Sequence, residues 1–104
     1  MVNSRAKGAR GEREAAAAIT EALGIPARRG QQFSGLEGKD VVTIPGLHVE
    51  TKRVEALRLY PAVKQARRDA LEGEVPIVLH KKNREEWVVI VPLNELKRLT
   101  ELLK

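Results

Sequence analysis

The sequence has no cysteine, and only one each of methionine, tryptophan, tyrosine and phenylalanine among its 104 residues. Without cysteine there are no disulfides and no thiolate metal sites, and a reducing compartment is allowed. With so few aromatics, base stacking is excluded as a main mode of recognition, and Tyr60 and Trp87 are assigned to core or interface. No run approaches the ~20 apolar residues of a membrane span. The N-terminus also lacks the apolar segment of a secretion signal, so the expectation is a cytoplasmic protein without a membrane partner. The length suits one domain with a single modest core.

What is abundant is positive charge. Lys and Arg number 19 against 14 Asp and Glu, a formal net charge of +5 that favours a polyanionic partner such as nucleic acid. The pattern along the chain predicts an α/β domain. An alanine-rich helix runs from Ser4 to Leu23 and is stopped by Gly24 and Pro26. Residues 27 to 38 hold three glycines and read as a loop with at most a short strand at Ala27 to Arg29. Strands over Asp40 to Ile44 and Leu47 to Arg53 form a hairpin at Pro45-Gly46.

A second helix carries Leu59, Val63, Ala66 and Ala70 on one face, with Pro61 in its first turn, and ends at Gly73. The runs 75 to 82 and 86 to 92 are continuously apolar, which predicts strands covered on both faces. Leu93, Leu96, Leu99 and Leu103 mark a last amphipathic helix. The expected order is α-β-β-β-α-β-β-α, a mixed sheet flanked by helices.

The stretch "GKDVVTIPGLHVETKR", residues 38 to 53, sets two acids and a lysine into that hairpin. With a three-residue connection from Ile44 to Gly46, Asp40 opposes Glu50, and alternation puts Lys52 on the same face. Val41, Leu47 and Val49 then share the opposite, apolar face. A shift of one residue would undo this arrangement. Facing carboxylates suit a hard divalent cation, Thr51 adds a backbone carbonyl, and a nearby lysine can orient water and offset charge on a phosphate. The alternative is a solvated sheet edge on which Lys52 pairs with either acid. His48 lies on the acid side and is assigned as a partly covered neutral side chain; His80 is assigned as structural.

Taken together, Lys7-Gly8 and Glu12-Arg13 in the opening helix, Asp40, Glu50-Thr51-Lys52 and the later strand pair resemble the archaeal-type Holliday junction resolvases of the PD-(D/E)xK nuclease superfamily. The resemblance implies a restriction-endonuclease-like core and a structure-selective endonuclease that resolves four-way DNA junctions in recombination and repair. It implies Mg²⁺ or Mn²⁺ as cofactor, no nucleotide cofactor, and a homodimer.

Asp40 and Glu50 match the metal-binding carboxylates, Glu12 the helical glutamate that completes the site, and Lys52 the signature lysine. Ser34 is similar to a serine used near the scissile strand, and Gln65 to a helper glutamine. Lys39 stands where the signature has proline, and the short tail resembles phage-encoded versions, which act in the host cytoplasm. Lys7, Arg10, Arg13, Arg28, Arg29, Lys39, Arg53, Lys64, Arg67 and Arg68 are the expected phosphate contacts. Two alternatives stand beside this reading: a nuclease of the same superfamily acting on flaps, nicks or duplex, and a non-catalytic basic DNA-binding module.

Overall fold

The computed structural model describes residues 4–30 and 39–104. The long alanine-rich segment forms α1, Ser4–Leu23. It is followed by β1 (Arg28–Arg29), β2 (Val41–Val42), β3 (Leu47–Arg53), α2 (Leu59–Asp69), β4 (Val75–Lys81) and β5 (Val88–Ile90). A 3₁₀ turn over Leu93–Glu95 then leads into α3, Leu96–Leu102. This is the order of elements expected from the sequence.

The described strands make one five-stranded mixed sheet in the order β1-β2-β3-β4-β5. Pairing is antiparallel from β1 to β3, parallel between β3 and β4, and antiparallel again between β4 and β5. A parallel pair cannot be closed by a tight turn, and α2 supplies the crossover. Between β2 and β3 the turn is fixed by Pro45, which presets its own φ, and by Gly46 at φ 89°, a left-handed conformation that side chains resist. The result is the pair Val41 with Val49, the register that sets Asp40 opposite Glu50.

Alternation along these strands divides the core in two. On one face Val41, Leu47, Val49, Ile77 and Leu79 pack with Ala15, Ala16 and Ile19 of α1 and with Leu99 of α3. On the other, Val78 receives Ala62 and Ala66 of α2, whose small side chains at a spacing of four let the helix lie close. Each buried valine or leucine adds roughly 1.5–3 kcal/mol. Among the described residues, no helix is long and apolar enough to cross a membrane.

Three expectations need correction. α2 ends at Asp69, short of Gly73, and turns Ala62 rather than Leu59 toward the sheet, so Leu59 is exposed. β5 is not covered on both faces: among the described strands it is an edge paired with β4 alone, and Val88 and Val89 remain exposed. Of the leucine stripe only Leu99 is buried, because the first turn of that segment is 3₁₀ and leads Leu93 away from the core.

Candidate active site

The site grows from the β2–β3 pair. Glu50 is central in β3 and almost fully buried. Asp40 stands just ahead of β2, its N–H donating to Val49 O at 3.0 Å and its own carbonyl accepting from Gly30 N at 2.8 Å. A side chain at position 30 would run into the Lys39 carbonyl oxygen, so glycine there lets β1 approach and fixes the backbone that carries Asp40. Asp40 Oδ2 in turn accepts the Thr51 N–H at 2.7 Å. One acid is thereby tied to the residue that follows the other.

Glu12 reaches the same region from α1. Its carboxylate accepts from Arg29 Nε at 3.3 Å. Burial raises its pKa and the nearby Asp40 charge raises it further, while Arg29 and Arg13 act in the opposite sense. Glu50 is also raised, first by burial and then by Asp40 and Asp69, against the lowering effect of its bond to His48. Asp40 therefore couples electrostatically to both glutamates, an arrangement that a cation would relieve.

Behind Glu50 lies a chain of partners, His48, Glu74 and Lys39, in which the sequence had given His48 and Lys39 other roles and had not singled out Glu74. His48 Nε2 is 2.8 Å from Glu50 Oε1, and its other ring nitrogen is 3.8 Å from Glu74 Oε1. An ionised carboxylate only accepts, so Nε2 carries the proton when Glu50 is charged. Glu74 accepts from Lys39 Nζ and, at 2.8 Å, from Leu71 N. Burial alone would raise the Glu74 pKa, but these donors and the nearby Lys39 charge outweigh it and the net shift is downward. His48 is thus a fully buried partner of the acid rather than a partly covered bystander. Its position two residues before Glu50 on one strand face is the signal that could have found it. Glu74 lies far away in sequence and offered none.

Lys52 Nζ donates to Gln65 Oε1 at 2.8 Å, so the two sequence candidates meet across the α2–β3 contact. His80, paired with Lys52 in the parallel ladder, is 2.9 Å through Nδ1 from Lys52 O, an acceptor only, which makes Nδ1 the protonated nitrogen. It braces the strand backbone, in keeping with a structural role. Ser34 and the side chain of Lys7 lie outside the described residues.

The basic candidates divide into two groups. Lys39 is held inside the fold by Glu74 and by Leu47 O at 3.3 Å, and Arg29 is engaged by Glu12. Arg53 spans Glu14, Asn83 and Lys81 O, and it lines a cleft of about 360 Å³ with Arg10. Arg10, Arg13, Arg28, Lys64, Arg67 and Arg68 are exposed. Of these, Arg28 donates to Arg29 O, Arg67 to Asn94 and Arg68 to Asp69.

Among the described residues no three His, Asp or Glu side chains form a ready-made metal cage. Mg²⁺ does not require one, since it commonly binds through one or two carboxylates and keeps waters that a phosphate can replace. The hard oxygen donors of Asp40 and Glu50, with Glu12 coupled to Asp40, fit that ion. Thr51 Oγ1, buried without a partner among the described residues, shares the Val49 face of β3 and so lies away from the acids. No protein-family model matches the chain, and neither a curated protein nor a solved structure does.

Proposed function

We propose that this chain is a metal-dependent, structure-selective endonuclease of the PD-(D/E)xK type, with a restriction-endonuclease-like core, that resolves four-way DNA junctions by paired phosphodiester hydrolysis. The observation that carries the reading is the Val41–Val49 register, which sets Asp40 against Glu50, with Lys52 two residues on and in contact with Gln65. A surface ion-pair arrangement is the rival explanation for such residues. It is disfavoured because Glu50 is buried at 3% exposure and Lys52 bonds to a glutamine rather than to either acid.

In this reading Asp40 and Glu50 hold a Mg²⁺ or Mn²⁺ ion and Glu12 completes the site. The bound ion supplies Lewis acidity toward a phosphate oxygen and its attacking water. Lys52 places an ammonium where charge gathers on the phosphate, and Gln65 holds that ammonium in one position. His48 engages one oxygen of Glu50 and so fixes how the carboxylate presents the other. The exposed cations bind phosphates without reading bases, which selects for DNA shape. Two opposed cuts call for two copies, and the exposed β5 edge with Val88 and Val89 gives a second copy an apolar strand to meet.

The test is incubation of the protein with labelled junction, flap and duplex, with and without Mg²⁺. Paired, Mg²⁺-dependent cuts in the junction are expected. Preferential cutting of flaps or duplex would make it a different nuclease of the same class, and binding without cleavage would leave a DNA-binding module.

A further inference from the structure

The sequence placed Tyr60 in core or interface, and its 75% exposure on the first turn of α2 excludes the core. Its hydroxyl has no hydrogen-bond partner among the described residues. The one tyrosine of the chain is therefore held at the surface without contributing to the core. Removing such a residue costs the fold little, and tyrosine, with an apolar ring and a polar tip, is enriched at interfaces.

Its surroundings narrow the partner. Lys64, Arg67 and Arg68 follow at spacings of four, seven and eight, all exposed, so the ring heads a basic stripe on one side of the helix. No acid lies in the first turn of α2; farther along, Arg68 meets Asp69 at 3.4 Å and Arg67 donates to Asn94 at 2.8 Å, both on the exposed surface. On the adjoining side, Arg58 and Pro61 line a cleft of about 260 Å³ that also contains Lys52 and Gln65. Tyr60 sits between these two in sequence, although its own side chain does not line that cleft. A cationic stripe calls for a polyanion, and an aromatic face at its head calls for a flat apolar group attached to that polyanion. A nucleobase on a phosphate backbone satisfies both.

A base in continuous duplex has both faces stacked and has none to offer. At a branch point stacking is interrupted, and one face becomes free. We propose that Tyr60 is a stacking platform for the nucleobase exposed at a DNA branch point, with Lys64, Arg67 and Arg68 holding the adjoining phosphates. This deepens the junction reading above and rests on it. It gives selectivity for branched DNA a side chain, where the phosphate contacts alone would hold a duplex as well.

The test is a binding titration in EDTA, which prevents cutting. It uses a four-way junction and a matched linear duplex, each with 2-aminopurine at the branch position or its equivalent, and compares the parent with Tyr60→Ala and Tyr60→Phe. The alanine variant is expected to lose roughly 5- to 100-fold in junction affinity, the range that one base–aromatic stack carries. Its duplex affinity should stay within about twofold, since the phosphate contacts are unchanged. Phenylalanine should behave as the parent, and the fluorescence change on junction binding should persist with Phe and vanish with Ala.

Junction binding by Tyr60→Ala within twofold of the parent, or an equal loss with Phe, would overturn the stacking role while leaving the nuclease reading intact. A parent protein that binds junction and duplex equally would remove both the stacking role and the junction selectivity on which it rests. Melting curves of the two variants verify that the exposed position leaves the fold unchanged.

Discussion

His48 Nε2 lies 2.8 Å from Glu50 Oε1, and the two side chains are closed off from solvent at 1% and 3% exposure. A carboxylate at that depth needs its donor. His48→Ala removes it and opens a cavity, so the variant is expected to lose about 3 kcal/mol of stability at neutral pH. Urea unfolding measures this directly. A loss below about 0.5 kcal/mol would show that Glu50 does not depend on the imidazole.

Asp40→Asn and Glu50→Gln keep side-chain size and remove the charge an ion requires. Cleavage is expected to disappear while junction binding holds or tightens slightly. Lys52→Ala should lose turnover in the same way. Either acid variant cutting at close to the parental rate would sink the site assignment.

The raised pKa of Glu50 has a definite sign in stability. The folded state holds the proton more tightly than the unfolded chain, so stability is lost as pH rises from the ordinary carboxylate value through the raised folded one. Glu50→Gln cannot ionise and escapes this loss. Its apo stability should therefore gain on the parent as pH rises through that window. Mg²⁺ should raise the parent's melting temperature above that window, have little effect below it, and leave the variant nearly unmoved. Thermal melts across pH with and without Mg²⁺ would show it.

Glu74 has the opposite sign. Its lowered pKa means a contribution that is present above the ordinary carboxylate value and is lost as pH falls through the folded one. Glu74→Gln should cost about 1.5–3 kcal/mol at neutral pH, the worth of a charged hydrogen bond, and the gap to the parent should close in acid. A gap independent of pH would mean that the loss is one of packing.

Phosphate contacts make affinity fall with salt. About four neutralised phosphates give a log–log slope near −3.6. Arg10→Ala and Lys64→Ala should each flatten it by about one contact, whereas Lys39→Ala, whose ammonium is bound by Glu74, should change stability instead. An unchanged slope in the first two would exclude them from the DNA surface.

Much of the fold was legible because period and punctuation agree. The alanine run of α1, the Pro45-Gly46 corner and the apolar run of β4 each specify one local structure, and the corner also fixed the register of the acids. Edges and ends were not legible. Val88 and Val89 look like core residues in sequence, but burial depends on what covers a strand, and among the described strands none pairs with the outer edge of β5. The phase of α2 failed for a similar reason: Leu59 is the larger apolar residue, yet alanines allow the closer approach to Val78. In the site, strand pairing made Asp40, Glu50 and Lys52 readable and the resemblance supplied Glu12 and Gln65, whereas Glu74 had neither signal. Glu74 joins His48 and Lys39 only because the parallel β3–β4 ladder brings its segment beside β3.

The two acids stand on ground of unequal firmness. Glu50 belongs to a seven-residue strand with a neighbour on each side, whereas Asp40 precedes a two-residue strand and is moored by its bonds to Val49, Gly30 and Thr51. Amide exchange separates such halves, because a segment with few backbone bonds opens without global unfolding. The amides of Gly30, Asp40 and Thr51, which donate the bonds of that mooring, should exchange earlier than those inside the β3–β4 ladder. Ion binding would then act as a latch, slowing exchange at the Asp40 side selectively and making substrate-ready geometry a property of the loaded protein.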